Sequence, residues 1–159
     1  MDKKYITTSY KKTQELGESL AKKIIKNGLY KKAVVLGLRG NLGGGKTTFL
    51  QGFAKGLGVK EKILSPTFVI QKRFKIKDLR FKNFYHIDCY RLENEKPARN
   101  ASHSDAGGDI LALDFKKIIS DPENIVAIEW PEKIKKVLPK NIILIKFKFV
   151  DENKREVGF

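Results

Sequence analysis

Residues 40–47 read GNLGGGKT and match the spacing G-x-x-x-x-G-K-[ST] of a phosphate-binding P-loop. Glycines let the backbone curl so that successive N–H groups point into one concavity, which the N-terminus of a following helix makes more positive. Lys46 is then placed to reach the β and γ phosphate oxygens, and the Thr47 hydroxyl to hold Mg²⁺. A glycine-rich turn entering a helix would explain the glycines but neither Lys46 nor Thr47. The residues expected to bind a nucleotide here are Asn41, Leu42, Gly43, Gly44, Gly45, Lys46, Thr47 and Thr48.

A Mg²⁺ ion beside a bound phosphate also needs an acidic ligand, usually at the C-terminal end of a neighbouring strand. Two carboxylates follow apolar runs of this kind. Asp88 follows the run FYHI, and Glu129 follows the run IVAI. Either acid fits a direct ligand or one that acts through water, and their spacing does not rank them.

Three further features lie near these motifs but are less specific. His86 is predicted to be a packing residue within its strand. Ser65, Pro66 and Thr67 form a turn signal at the position where many P-loop enzymes sense the γ-phosphate. Trp130, which precedes a proline, is equally consistent with burial and with an exposed contact.

Apolar spacing predicts the elements that position these residues. Almost wholly apolar runs at 33–38 and 125–128 are typical of strands buried on both faces. Apolar residues three to five apart predict helices, and these cover residues 13–27, 46–57 and 114–120. The P-loop would therefore join a buried strand to a helix.

Other β-forming segments complete the expected sheet. Residues 68–74 and 81–88 predict a hairpin or two neighbouring strands, and residues 141–150 alternate as a half-buried edge strand would. The tail from Asp151 is too polar to assign. Together these elements predict a three-layer α/β P-loop NTPase fold, with a largely parallel sheet, antiparallel edge strands and a ligand at the C-terminal ends of the strands.

Length and composition indicate one domain over residues 1–159, because 159 residues with 41% hydrophobic content suffice for a single core. Residues 93–108 almost lack large apolar side chains and are predicted to form a mobile loop. No run approaches the length of a membrane span, and no apolar stretch follows the N-terminal charges. With a lone cysteine, Cys89, the expectation is a cytoplasmic protein without a disulfide or a membrane partner.

The chain is strongly basic, with 33 lysines and arginines against 18 acids and a net charge of +15. Such a charge concentrates nucleic acid, nucleotide or anionic lipid near the surface. A lysine-rich solvated surface with no polyanionic partner explains the excess equally well.

Four blocks, in this order along the chain, resemble those of the TsaE family, formerly YjeE. They are GNLGGGKTT at 40–48, SPTF at 65–68, YHIDCYRL at 85–92 and IEWPEKI at 128–134. The sequence departs from the typical blocks at Asn41, Gly44, Ile87 and Cys89, and the match fails between residues 92 and 110. The family comprises small bacterial P-loop ATPases that support threonylcarbamoyladenosine modification of tRNA.

The resemblance implies the roles of the site residues. By it, Lys46 binds phosphate, Thr47 and Glu129 hold Mg²⁺, and Asp88 is a Walker-B-like acid that acts on the metal or its waters. Lys46, Asp88 and Glu129 would form the catalytic group, with ATP and Mg²⁺ as cofactors.

More distant contacts also follow from the resemblance. Ser65, Pro66 and Thr67 would form a switch-like segment, and Trp130 would lie near the nucleotide. Tyr10 lies in the segment that the family places against the base, which makes it a candidate base contact.

The resemblance further implies partners. The protein would act with TsaB and TsaD, where TsaD transfers threonylcarbamoyl onto a tRNA adenosine. Its own ATP hydrolysis would be weak without them. The +15 charge would then face tRNA or an acidic partner surface.

Two other classes of protein remain open. One is a small-molecule kinase, although such enzymes generally need an arginine-rich lid, and the six arginines of this chain include no adjacent pair. The other is a nucleic-acid-binding module that is gated by nucleotide or carries a vestigial P-loop. Salt-sensitive tRNA binding without hydrolysis would indicate that class.

Overall fold

The computed structural model describes residues 3–28, 30–64, 71–78, 80–90 and 114–159. In chain order the elements are β1 (Lys4–Thr7), α1 (Tyr10–Asn27), β2 (Val34–Arg39), α2 (Lys46–Gly56), β3 (Gln71–Lys75), β4 (Asn83–Asp88), a short helix α3 over residues 114–120, β5 (Asn124–Glu129), a 3₁₀ segment (Pro131–Val137), β6 (Ile143–Phe149) and β7 (Arg155–Gly158).

The strands of the described residues form one sheet in the order β1-β7-β6-β2-β5-β4-β3. The inner strands β6, β2, β5 and β4 run parallel to one another. The outer pairings β1–β7, β6–β7 and β3–β4 are antiparallel. This topology confirms the predicted α/β fold with a largely parallel sheet and antiparallel edges, and it places β2, which leads into the P-loop, at the centre.

The two faces of the sheet bury separate apolar clusters, which gives the three layers. On one face Leu36 packs in a cluster with Phe49 of α2 and with residues of α1. On the other face Val35 packs in a cluster with Phe115 of α3. Alternate residues of β2 therefore point into opposite cores, as its continuous apolar run predicts.

Helices α1 and α2 pack with their backbones in contact, and α2 carries the P-loop. A Cβ at Gly17 would overlap the Phe49 carbonyl, and one at Gly52 would overlap the backbone of Gln14. The absence of side chains at these glycines therefore allows the close approach. Helix α1 begins after Ser9, whose side chain accepts a hydrogen bond from the Lys12 amide at 3.2 Å.

The prediction that residues 141–150 form an edge strand is wrong. Strand β6 lies inside the sheet, since it pairs with β2 on one side and with β7 on the other. Its alternating pattern marks a face open to solvent, where Lys148 is exposed, rather than a free edge. The polar tail from Asp151 supplies the neighbouring strand β7.

The predicted pairing of neighbouring strands is confirmed for β3 and β4, although β3 is described only from Gln71. The loop prediction for residues 93–108 lies outside the described residues. Within the ranges that are described, every helix is too short or too polar to cross a membrane.

Candidate functional site

Residues 40–45 join β2 to α2 at the C-terminal end of the central strand. Three glycines in this loop have φ angles that other residues rarely adopt: 147° at Gly40, 74° at Gly43 and 96° at Gly45. A Cβ at Gly40 would also overlap the Phe147 carbonyl of β6. The backbone then enters the N-terminus of α2, where amide N–H groups lack helical acceptors and favour an anion.

Lys46, at the first position of α2, points back into its own loop. Its side chain is buried, with 5% of the residue surface exposed. The Nζ donates to the carbonyl of Gly40 at 2.6 Å and to that of Asn41 at 3.0 Å. It also lies 4.6 Å from the centre of the Trp130 ring. The ammonium group is thus held where a phosphate would sit on the loop.

Burial lowers the pKa of Lys46, while the negative charges of Glu129, Asp88 and Glu132 oppose that shift. No ion pair within 4.0 Å joins Lys46 to an acid of the described segments. The attraction to these acids therefore acts across space, while the direct hydrogen bonds of the amine go to the loop carbonyls.

Asp88 and Glu129 are register partners at the C-terminal ends of β4 and β5. Leu38 of β2 is the register partner of Glu129 on the other side, so Glu129 lies beside the end of β2 that leads into the P-loop, and Asp88 lies one strand further away. Burial raises the pKa of Asp88, and the Glu129 charge adds to that rise. The Asp88 side chain accepts a hydrogen bond from the Tyr90 amide at 2.9 Å. The two acids that spacing could not rank are thus neighbours in one site.

His86 contacts the second of these acids. Its Nε2 lies 2.9 Å from Oε1 of Glu129, and the residues are 1% and 3% exposed. The prediction of a packing residue is correct as far as burial goes, but it missed the polar partner. The available signal was strand periodicity, because His86 lies two residues before Asp88 and so points to the same face.

Trp130 follows Glu129 and adopts a left-handed backbone conformation, with φ 58° and ψ 50°. This conformation costs free energy in a residue other than glycine, and such residues cluster at functional sites. The ring packs against Tyr90 at a centroid distance of 5.3 Å, in addition to its contact with Lys46. Trp130 is half-buried and also packs against the apolar cluster around Val35, so it is neither fully buried nor an exposed contact.

Tyr10 lies on α1 and contacts α2 rather than residues 40–47. Its hydroxyl donates to Gln51 at 2.6 Å and accepts from Gln14 at 2.8 Å, while 60% of the residue is exposed. These residues line an open cleft together with Lys62 and Ile63. A role for Tyr10 at the base stays a prediction. The switch-like residues Ser65, Pro66 and Thr67 lie outside the described residues.

Oxygen donors suited to Mg²⁺ occur at this site. Asp88 and Glu129 offer carboxylates, and Thr47 brings a hydroxyl in the first turn of α2, where it is half-buried. Thr48 follows it and is also half-buried, and Leu42 is exposed.

Sequence reasoning missed Arg155, which lies in strand β7. Its Nε donates to the Gly43 carbonyl of the P-loop, and the two atoms are 3.1 Å apart.

Comparison with known proteins assigns the family. The family model described as threonylcarbamoyl adenosine biosynthesis protein TsaE matches residues 7–157. The chain belongs to the TsaE family. It is 34% identical over 157 residues to the tRNA threonylcarbamoyladenosine biosynthesis protein TsaE of Aquifex aeolicus, covering 98% of this chain and 93% of that protein.

A sequence match and a structure match from Bacillus subtilis extend the comparison. The TsaE protein of that organism is 35% identical over 125 residues, which are 79% of this chain and 68% of the relative. The crystal structure of YdiB superposes with a TM-score of 0.69 at 26% identity, covering all of this chain and 84% of YdiB. The P-loop NTPase fold predicted from the sequence is thus confirmed for this TsaE chain.

Proposed function

We propose that this TsaE chain binds ATP with Mg²⁺ and hydrolyses it in support of tRNA threonylcarbamoyladenosine biosynthesis. The observation that carries the proposal is that Lys46, at the start of the helix that follows β2, lies near Asp88 and Glu129 at the ends of β4 and β5. The names of the relatives from Aquifex aeolicus and Bacillus subtilis support the pathway. An isolated glycine-rich turn would have no reason to lie beside two carboxylates.

In this proposal the loop amides and Lys46 bind the phosphates. The Lys46 amine already lies within the loop, so only a short movement away from the Gly40 and Asn41 carbonyls brings it to a phosphate oxygen. The proposed nucleotide contacts are Asn41, Leu42, Gly43, Gly44, Gly45, Lys46, Thr47, Thr48 and Tyr10.

Thr47, Glu129 and Asp88 would hold Mg²⁺, which neutralises phosphate charge when it is bound. His86 would keep Glu129 oriented through their hydrogen bond. Asp88, in register with Glu129, would act on the metal or on its waters beside the phosphate. The Trp130 ring would cover one side of the Lys46 amine.

Hydrolysis by the isolated chain is expected to be weak, with TsaB and TsaD as the partners that raise it in the cytoplasm. The switch-like residues Ser65, Pro66 and Thr67 would respond to the γ-phosphate. Because the chain carries a +15 charge, tRNA or an acidic partner surface would be attracted to it.

The test is ATP binding and hydrolysis by the purified protein, alone and with TsaB and TsaD, for the wild type, Lys46→Ala and Glu129→Ala. We expect partner-stimulated hydrolysis that both variants lose, and nucleotide binding that Lys46→Ala loses. Lys55→Ala is the matched control, because this lysine lies on the same helix with an exposed side chain paired to Glu18.

The other outcomes separate the alternatives. Tight nucleotide binding without stimulation, together with phosphate transfer to a nucleoside or sugar, would indicate a small-molecule kinase. Salt-sensitive tRNA binding that Mg-ATP does not alter, without hydrolysis, would indicate a nucleic-acid-binding module. No nucleotide binding by the wild type would contradict the proposal.

A further inference from the structure

The side chain of Arg155, at the start of β7, contacts the P-loop. Its Nε donates to the Gly43 carbonyl at 3.1 Å. A Cβ at Gly45 would lie only 3.4 Å from Cγ of Arg155, so the arginine stem runs alongside this part of the loop. The side chain therefore spans Gly43 and Gly45, two glycines with left-handed φ angles.

A second nitrogen of the same guanidinium group bonds to the turn that precedes β7. Nη1 donates to the backbone carbonyls of Asp151 at 2.6 Å and Lys154 at 2.9 Å. The guanidinium also lies 4.7 Å from the centre of the Phe149 ring. A planar guanidinium with several fixed donors can bridge two backbone segments in this way, whereas a lysine amine has a single nitrogen.

The backbone of Arg155 belongs to the sheet as well. It pairs with Phe149 of β6 and with Thr7 of β1, so its Cα does not move independently of the sheet. The contact to Gly43 is thus made by a side chain anchored at both its backbone and its guanidinium.

We infer that Arg155 is a positioning residue for nucleotide binding: it holds the Gly43–Gly45 bend in the conformation that presents the loop amides to phosphate. The inference rests on the proposed function of the P-loop. The bond joins Arg155 to a carbonyl of the loop, so it acts on the loop itself. Its effect is the same for a diphosphate and a triphosphate.

The experiment compares wild type, Arg155→Ala and Arg155→Lys by amide hydrogen exchange without nucleotide and by calorimetric titration with Mg-ADP and Mg-ATP. In Arg155→Ala we expect at least fivefold faster exchange at residues 43–46 and affinities for both nucleotides lowered about tenfold, the effect of losing one hydrogen bond to a charged donor. Arg155→Lys should recover part of both changes, because it keeps the charge but cannot bridge both segments.

Lys154→Ala is the matched control, since Lys154 lies in the same turn with its amine paired to Asp151. Exchange across α1 and β5 separates a local effect from global loss of stability, and uniformly faster exchange in both Arg155 variants would overturn the inference. Unchanged exchange at residues 43–46, or a loss of affinity confined to ATP, would also overturn it. If the wild type binds no nucleotide, the proposed function fails, and exchange at residues 43–46 still decides whether Arg155 orders the loop.

Discussion

His86 and Glu129 form a buried hydrogen-bonded pair across β4 and β5, with Nε2 and Oε1 2.9 Å apart. The bond joins the imidazole ring of one strand to the carboxyl group of the next. The histidine therefore restricts the rotamers of an acid that we propose to hold Mg²⁺, the role that outer-sphere partners play at metal sites.

The first prediction concerns this pair. His86→Ala should lower the free energy of unfolding by about 2–3 kcal/mol, because it leaves the buried Glu129 side chain without its hydrogen-bond partner. Adding Glu129→Ala should cost less than the sum of the two single changes, with a coupling of about 1–3 kcal/mol. Urea unfolding of the four proteins measures both quantities. Additive losses would show that the two residues do not support each other.

The second prediction uses Trp130, the only tryptophan of the chain. Its ring lies 4.6 Å from Nζ of Lys46, so a nucleotide that draws the amine toward phosphate should alter the tryptophan fluorescence. Titration with Mg-ATP should give a saturable change in the wild type and in Lys55→Ala, and none in Lys46→Ala. Nucleotide binding seen by calorimetry with no change in fluorescence would contradict this placement of Lys46.

The third prediction concerns the crossing of α1 and α2. Gly17→Ala should destabilise the protein by at least about 2 kcal/mol, although alanine is the better helix former by about 1 kcal/mol, because the new Cβ would overlap the Phe49 carbonyl. Ser19→Ala, at an exposed position of the same helix, should change stability by less than about 0.5 kcal/mol. Thermal unfolding of both variants compares the two sites, and equal shifts would refute close backbone packing.

The fourth prediction concerns Cys89, which is buried in the core behind the site. Burial raises the pKa of its thiol from 9.0 to about 12, with the Asp88 and Glu132 charges adding to the rise. The native thiol should therefore resist Ellman's reagent at pH 8, and urea should expose one reactive thiol per chain. Rapid reaction in the folded protein would be inconsistent with this burial.

The same shift gives a direction for stability. Because the pKa of the thiol is higher in the folded state, the thiol's contribution to the free energy of unfolding is fully present below pH 9. That contribution is lost as the pH rises toward 12. Cys89→Ala should make the fall in stability over this interval shallower, as urea unfolding at several pH values will measure.

The elements that could be predicted from the sequence are those that depend on the spacing of residues close together in the chain. Apolar runs and helical spacing located β2, α2 and β5, and the P-loop spacing located Lys46. Both acids followed from their positions at strand ends. The terminal strands β1 and β7 escaped prediction, because short strands of mixed polarity carry little periodicity and form through pairing with distant segments.

The contacts that were missed join residues far apart in the chain. Arg155 reaches Gly43 across 112 positions, and His86 reaches Glu129 across 43. Strand periodicity gives the face to which a side chain points, but not the residue that it meets, because that residue depends on strand order. The wrong prediction that β6 is an edge strand has the same cause. Alternation of polar and apolar residues shows which face of a strand is exposed to solvent, but not how many strands pair with it.

The position of Lys46 makes nucleotide binding an exchange of partners rather than the capture of a free cation. The amine has already lost its rotational freedom to the Gly40 and Asn41 carbonyls, so that entropic penalty falls on folding instead of on association. Phosphate oxygens must then displace two carbonyl acceptors, which offsets part of their attraction. The two effects therefore oppose each other in the free energy of the proposed nucleotide binding.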